Sequence, residues 1–168
     1  MSRKNFAILG LGSNLGRKSA NLCCALKLIS GFCDIVEVSP VYKTESLLKD
    51  DQESYFNLCA LVRSSLEPSE LLNNLKNIEH KMGRVDSGHW YTRIIDIDII
   101  DYNNTVFQSD KLNIPHPQMS VRSFVLYPLQ DVAPEYVHPS SCLTISNMLN
   151  LIKDNLGIKR LGVALWQL

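Results

Sequence analysis

Two aspartates, Asp96 and Asp98, lie in the apolar sequence IIDIDII, where they alternate with isoleucines. The alternation predicts a β-strand with both carboxylates on one face, about 6 to 7 Å apart, and the isoleucines on the other. Two carboxylates this close are costly to desolvate unless a cation neutralises them, and Mg²⁺ prefers one or two carboxylates together with phosphate oxygens and water. Two such ions, about 3.5 to 4 Å apart, could be bridged by the pair. The alternative is an exposed strand face whose carboxylates lie in water, and a D-x-D motif alone does not decide between the two.

Side chains suited to binding phosphate lie on both sides of this pair in the sequence. Arg84, Trp90 and Arg93 precede it, and His116 and Arg122 follow it. The planar fork of an arginine can chelate a phosphate group. His116 or Arg122 alone is more often an ordinary surface group. Arg93 is an odd number of residues from the aspartates and so does not share their strand face, which means that its approach depends on the geometry of the preceding loop. Together they favour a metal and phosphate site over a merely solvated strand face.

Three further features have both a functional and a structural interpretation. The sequence GLGSNLG lacks the G-x-G-x-x-G spacing and the lysine of a phosphate-binding loop, and we interpret it as a tight strand-to-helix turn. Tyr55 and Asn57 are two residues apart at the start of a strand, so an aromatic ring and an amide there could hold a flat heterocycle. Taken alone, these residues are better explained by ordinary cross-strand packing, and Phe124 has the same two interpretations.

The composition predicts an ordinary globular protein. The 168 residues favour one domain, with 45% hydrophobic and 20% charged residues. Seventeen basic residues balance seventeen acidic ones, so we expect binding to neither nucleic acid nor membrane surfaces. The five cysteines form no C-x-x-C motif, which favours reduced thiols. Because no apolar run reaches the roughly 20 residues of a membrane span and the start does not resemble a signal peptide, we expect a cytoplasmic location.

Hydrophobic periodicity predicts an α+β fold. The predicted order is β-α-β-β-α-β with a C-terminal extension, which is typical of a ferredoxin-like sandwich with a largely antiparallel sheet and helices packed on it. The predicted strands are 6–11, 35–44, 56–64, 94–102 and 163–168. The predicted helices run through Leu22–Ile29 to an end at Gly31, from Pro68 to Gly83, and from Ile145 to Leu156 with an end at Gly157. The apolar segment 124–129 suits either a strand or a helix, and we favour a short helix.

Six motifs occur in order between residues 10 and 135: GSNLG, YFN, IE..MGR, W..R.IDIDII, IPHPQM..R.FVL.PL and APE. Together they resemble the 6-hydroxymethyl-7,8-dihydropterin pyrophosphokinase family of folate biosynthesis. The resemblance covers most of the chain and implies a single pyrophosphokinase domain over residues 1–168 with a ferredoxin-like fold. It implies transfer of pyrophosphate from ATP, the co-substrate, to the hydroxymethyl group of the pterin, which leaves AMP. We further expect a monomer.

The resemblance also implies a role for each matching position. Asp96 and Asp98 would hold two Mg²⁺ ions, and Arg84 and Arg93 would act with them in catalysis. The ATP-binding residues would be Glu79, Trp90, His116 and Arg122. The pterin would lie between the rings of Tyr55 and Phe124, with its edge bound by Asn57 and by backbone groups at Thr44 and Leu47.

The sequence departs from the family pattern in the two segments that are expected to close over the substrates. The usual W-G-P-R is Trp90-Tyr91-Thr92-Arg93 here, and the segment after the threonine reads ESLLKDDQE without the usual proline and glycine. Pro117 replaces a tyrosine that many members carry, so no role is assigned to that position.

Two other functions remain as alternatives. The first is a catalytically silent ferredoxin-like module that binds nucleotide or pterin, against which the presence of both aspartates and all the matching arginines argues. The second is a two-metal nuclease, against which the neutral net charge and the absence of a basic stripe argue.

Overall fold

The computed structural model describes residues 5–45, 53–84, 93–153, 157–162 and 165–166. Within these ranges the strands are β1 (Asn5–Ser13), β2 (Asp34–Val38), β3 (Tyr42–Thr44), β4 (Tyr55–Ser64), β5 (Asp96–Tyr102), β6 (Phe107–Gln108), β7 (Asn113–Ile114) and β8 (Lys159–Arg160). The helices are α1 (Lys18–Ile29), α2 (Pro68–Lys81), α3 (Ser123–Val132) and α4 (Ile145–Leu151), and a 3₁₀ turn spans Met119–Val121.

The main sheet has the order β5-β1-β4-β3-β8, and β2 pairs with a further part of β4. All of these pairs are antiparallel. The predicted α+β architecture with a largely antiparallel sheet is therefore confirmed. β5 forms one edge of the sheet, which places the predicted acidic strand beside β1 alone.

Helices cover the two faces of the sheet unequally. On one face, α1 and α2 pack against the strands in a core that includes Leu9, Leu26, Leu75 and Ile97. On the other face, α3 and α4 cover a smaller cluster that includes Ile8, Cys59, Ile100, Leu126 and Met148. The part of this second face that lies beyond the smaller cluster is where the polar residues of β4 and β5 are found.

Helix α2 begins and ends where the sequence predicts. Pro68 is its first residue, and Glu67 and Glu70 form a reciprocal capping box at that end. Gly83, just beyond the helix, has a φ of 89°, a left-handed conformation that glycine adopts without strain. The predicted short helix at 124–129 is also confirmed as α3.

The predicted strand over 35–44 is wrong in extent, because the structure divides it into β2 and β3. Pro40 has no amide hydrogen to donate to a neighbouring strand. Ser39 instead closes onto β4, where its amide donates to Cys59 O at 2.9 Å and its Oγ accepts from Cys59 N at 3.0 Å.

The C-terminal predictions are only partly correct. The last helix ends at Leu151, and Ile152 is extended at φ −65° and ψ 134°. Ile145 and Met148 are buried, but Leu151 is 64% exposed, so a longer helix would gain little burial. The strand that follows is Lys159–Arg160, paired with β3; 165–166 lie outside any strand, and 163–164 and 167–168 lie outside the described residues.

The short β6–β7 hairpin was not predicted, since two residues per strand are too few to show a period. None of the helices in the described ranges has the length and apolar character needed to cross a membrane.

Candidate active site

The acidic pair lies on the partly covered face of the sheet. In β5 the side chains of Asp96 and Asp98 are 26% and 37% exposed, while Ile97 between them is fully buried in the opposite face. The predicted strand with its carboxylates on one face is therefore present. In the antiparallel register Asp96 pairs with Gly12 and Asp98 with Gly10, and directly paired residues project to the same side.

Gly10 and Gly12 leave the sheet surface beside the aspartates without side chains, and we call this surface the glycine floor. On its other side β1 pairs with β4, and here Gly12 lies opposite Asn57. Asp96, Gly12 and Asn57 thus form one row across three strands. Because neighbouring strands are about 4.8 Å apart, the two ends of this row are about 10 Å apart. A side chain at Gly12 would force Asn57 to shift, since its Cβ would lie 2.9 Å from Asn57 Oδ1.

Two arginines hold Asp96. Arg84, which follows α2, places its Nη1 2.6 Å from Asp96 Oδ1, and Arg93 places its Nη1 2.6 Å from Asp96 Oδ2. Burial by itself would raise the pKa of Asp96, but the two guanidinium groups outweigh it and hold this pKa below its ordinary value. Asp96 is therefore a stable carboxylate, and both arginines lie at the open face.

The C-terminal end of β1 fixes the position of Arg93. Asn14 Oδ1 accepts a hydrogen bond from Arg93 N at 2.6 Å, and the Asn14 amide donates to Arg93 O at 3.1 Å. Ser13 Oγ donates to Ile94 O at 2.6 Å. The sequence GSNLG is thus a strand-to-helix turn, as interpreted, but its polar side chains also bind the backbone at Arg93, an arginine of the candidate site. Neither Ser13 nor Asn14 was predicted to do so.

Glu79 lies at the outer edge of β5. Its side chain is 3% exposed, its Oε1 accepts from Ile97 N at 2.6 Å, and its Oε2 lies 2.5 Å from Arg84 Nη1. Burial raises the pKa of Glu79, whereas Lys76, the Ile97 amide and Arg84 oppose this rise. Glu79 thus supports Arg84 and binds the free backbone amide at the edge of β5. Lys76, which was not predicted from the sequence, lies beside Glu79.

His116 and Arg122 approach the same face from the segment after β7. His116 N donates to Ile100 O at 2.8 Å, and its Nδ1 accepts from Gln118 N at 3.2 Å. Burial and the charge of Arg122 lower the pKa of His116, while Asp98 and Asp96 oppose this. A neutral ring with Nδ1 as acceptor carries its proton on Nε2. Arg122 itself donates to the side chain of Gln118.

The residues expected to bind the pterin lie at the other end of the glycine floor. Asn57 is 6% exposed and Thr44 2%, and Asn57 Nδ2 donates to Thr44 Oγ1 at 2.9 Å. This bond directs the amide oxygen of Asn57 toward Gly12. Tyr55 is half-buried, and the charges of Arg93 and Asp96 act on its hydroxyl, whose pKa is raised mainly by burial.

Phe124 is the second residue of α3, and its ring lies 5.5 Å from the guanidinium carbon of Arg122. Eleven of the thirteen predicted site residues lie in the described part of the chain. Trp90 and Leu47 lie outside the described residues.

A model of the 7,8-dihydro-6-hydroxymethylpterin-pyrophosphokinase family matches residues 8–134. The chain belongs to this family. The resemblance noted from the sequence motifs is thereby confirmed, and the matched span includes every residue of the candidate site described above.

Curated relatives carry the corresponding enzyme name. The 2-amino-4-hydroxy-6-hydroxymethyldihydropteridine pyrophosphokinase of Haemophilus influenzae is 37% identical over 155 residues, which are 91% of this chain and 96% of that protein. The pyrophosphokinase of the same name from Synechocystis is 38% identical over 87% of this chain and 75% of its own length. The folic acid synthesis protein FOL1 of Dictyostelium discoideum is 41% identical over 88% of this chain, which spans only 22% of that protein.

Solved structures support the fold. A crystal structure of a Plasmodium falciparum HPPK-DHPS triple mutant aligns with a TM-score of 0.73 over 90% of this chain and 44% of that one, at 21% identity. A crystal structure of an HPPK-DHPS in complex with substrates aligns with a TM-score of 0.70 over 89% of this chain and 43% of that one, at 19% identity. The predicted ferredoxin-like fold of the pyrophosphokinase family is thus confirmed.

Proposed function

We propose that the face around Asp96 and Asp98 is the site where this chain transfers a pyrophosphoryl group from ATP to the hydroxymethyl oxygen of 6-hydroxymethyl-7,8-dihydropterin, releasing AMP in folate synthesis. The observation that carries the assignment is the row Asp96–Gly12–Asn57. It has an acidic end with arginines, an empty floor about 10 Å long, and a buried amide at the other end. A bicyclic ring with a short arm matches this length.

The acidic end suits Mg²⁺. Two carboxylates on one strand face are the protein ligands this ion prefers, with the remaining positions filled by phosphate oxygens and water. Among the residues that the structure describes, no three His, Cys, Asp or Glu side chains could hold a metal ion by themselves, which agrees with a site completed by the nucleotide. Asp96 and Asp98 would hold two ions, and bound Mg²⁺ would neutralise charge on the triphosphate.

The cations of the site would receive the triphosphate. Arg84 and Arg93 each use one guanidinium nitrogen on Asp96, and this leaves further donors in each fork for phosphate oxygens. The lowered pKa of His116 favours a neutral ring whose Nε2 can donate to a phosphate oxygen. Arg122 adds a positive charge on the same side, while Glu79 holds Arg84 in place and Trp90 would complete the ATP side.

The pterin would lie between Tyr55 and Phe124, with its edge at Asn57. The bond from Asn57 Nδ2 to Thr44 Oγ1 fixes which way the amide faces before the substrate arrives. A fixed amide oxygen accepts only from a donor on the substrate, such as the amino or ring N–H groups of a pterin. Backbone groups at Thr44 and Leu47 would complete this recognition. Placement of the hydroxymethyl oxygen toward the arginines would remove much of the entropic barrier to transfer.

Product analysis tests the function directly. The purified chain is incubated with ATP, Mg²⁺ and 6-hydroxymethyl-7,8-dihydropterin, and nucleotides are separated by chromatography. AMP should form only when the pterin is present. ADP as the product, or no turnover by folded protein, would overturn the assignment, and the latter result would revive the silent binding module, which no observation here favours.

Substitution of Asp98 tests the site. Asp98→Ala should abolish AMP formation and weaken ATP binding chiefly when Mg²⁺ is present, because the carboxylate would no longer hold the ion. The matched control is Asp110→Ala, which removes an exposed aspartate from the loop between β6 and β7. Wild-type turnover by Asp98→Ala would show that the proposed metal role is wrong.

A further inference from the structure

Lys76 and Glu79 occupy the open edge of β5 between the two aspartates. Lys76 Nζ donates to Ile97 O at 3.2 Å, and Glu79 Oε1 accepts from Ile97 N at 2.6 Å. These two side chains, one turn apart on α2, thus satisfy the two backbone groups that a neighbouring strand would otherwise bind. Ile97 lies directly between Asp96 and Asp98, so the edge contact brings the lysine to the acidic pair.

The ammonium group of Lys76 is close to both neighbouring carboxylates. It lies 3.0 Å from Glu79 Oε1 and 3.7 Å from Asp98 Oδ1. In the part of the chain that the structure describes, no other cation is within 4.0 Å of Asp98. Asp96, in contrast, is already bound by Arg84 and Arg93.

The ion pairs at this end of the site are balanced in charge without any metal ion, and Arg122 adds further positive charge near Asp98 and Asp96. Three carboxylates, from Glu79, Asp96 and Asp98, face three cations, from Lys76, Arg84 and Arg93. A divalent ion that binds the aspartates therefore adds uncompensated positive charge unless an anion arrives with it. The triphosphate of the nucleotide is such an anion, and it can also draw the cations away from the carboxylates.

We infer that Lys76 is a built-in counter-ion of Asp98 that competes with divalent cations, so that the metal binds well only together with the nucleotide. This inference rests on the proposed metal site at Asp96 and Asp98. Lys76 acts here through the carboxylate and is a positioning residue. It opposes metal binding to the nucleotide-free chain and thereby couples the two ligands, since any coupling between metal and nucleotide is reciprocal.

Lys76→Gln is a suitable probe. Lys76 is 43% exposed, and glutamine has nearly the same helix propensity and can still donate to Ile97 O. The variant should therefore fold while it loses the charge beside Asp98. Because the pair is partly solvated, the gain in metal affinity should be moderate, about three- to tenfold.

The experiment measures Mn²⁺ binding by electron paramagnetic resonance, first without nucleotide and then with a non-hydrolysable ATP analogue. Mn²⁺ is the probe because it shares the preference of Mg²⁺ for carboxylate and water ligands. Lys76→Gln should bind Mn²⁺ more tightly than the wild type without nucleotide, and the increase in affinity caused by the nucleotide should become smaller. The matched control is Lys81→Gln, which removes an exposed charge from the same helix.

Each outcome has a distinct meaning. Unchanged or weaker Mn²⁺ binding by Lys76→Gln overturns the counter-ion role, and an equal gain in Lys81→Gln would overturn it as well, because the effect would then be one of net charge. Asp98→Asn separates this inference from the proposed function. If Asp98→Asn binds Mn²⁺ like the wild type, the metal site itself is wrong; if it loses Mn²⁺ while Lys76→Gln is unchanged, only the role of Lys76 fails.

Discussion

A single methyl group at Gly12 should separate binding of the pterin from binding of the nucleotide. A Cβ at this position would lie 2.9 Å from Asn57 Oδ1, whereas an ordinary contact begins near 3.4 Å. Asn57 would have to move by about 0.5 Å, and Asn57 is held on its other side by the bond to Thr44 Oγ1. The backbone of Gly12 does not have a positive φ, so alanine itself is not strained there.

The size of the effect follows from the hydrogen bonds that depend on Asn57. A displaced amide that leaves one buried polar partner unsatisfied costs about 1–3 kcal/mol. If the free energy of the pterin-bound protein rises by this amount relative to the free protein, pterin affinity should decrease about 5- to 150-fold in Gly12→Ala. Affinity for the ATP analogue should change by less than about twofold, because Asp96 lies on the neighbouring strand β5 and its two arginines come from the segments after α2 and before β5.

Gly10→Ala is the matched control, since Gly10 lies two residues away on the same face of β1. Its Cβ would lie 3.0 Å from Ile100 Cδ1, the flexible end of a side chain in the core under α3. This variant should lose stability and keep its pterin affinity. The measurements are calorimetric titrations with pterin and with the ATP analogue, together with urea unfolding of both variants. Wild-type pterin affinity in Gly12→Ala, or an equal loss for both ligands, would contradict this prediction.

Two further predictions concern α3 and the buried end of β5. Phe124→Ala should weaken pterin binding about tenfold or more with little effect on ATP, because a stacking ring is lost; parallel titrations that show equal losses would contradict the stacking role. Burial raises the pKa of Asp101, which accepts a hydrogen bond from Tyr136. The folded protein thus holds this proton more tightly than the unfolded chain, and the stability that protonation contributes is lost as the pH rises above 3.8 through the folded-state pKa. Urea unfolding between pH 4 and 7 should therefore show wild-type stability falling relative to Asp101→Asn, and a constant difference would contradict the prediction.

The sequence was sufficient where a repeating pattern carried the information. Period-two alternation placed Asp96 and Asp98 on one face of β5, and the stripe that starts at Pro68 gave α2 with its correct ends. The pattern was insufficient where a single hydrogen bond decides the structure. Ser39 interrupts the strand predicted over 35–44 by binding Cys59 on β4, and that contact joins residues twenty positions apart.

The supporting residues of the site could not be found in the same way. Asn14 and Lys76 are ordinary turn and helix-surface residues in the sequence, and their functions depend on partners 79 and 21 positions away. A partial signal was present for Asn14, because a buried asparagine after a strand commonly binds backbone groups. For Lys76 the relevant fact is that β5 is an edge strand, which only the topology reveals.

A bulge in β5 determines which face of the sheet its last residues occupy. The pairing with β1 shifts between Ile8 and Leu9, so that Ile100 is an extra residue opposite this step. Ile100 lies with Asp98 on the face under α3, next to Gly10, as regular alternation predicts, while Ile99 lies in the opposite core. The alternation reverses after Ile100, so that Asp101 stays on the α3 side, where it accepts a hydrogen bond from Tyr136, and Tyr102 enters the opposite core. Without the bulge, regular alternation would place the carboxylate of Asp101 in the core with Ile99. The bulge therefore keeps this carboxylate out of the larger core and on the side of α3, the helix that also carries Phe124.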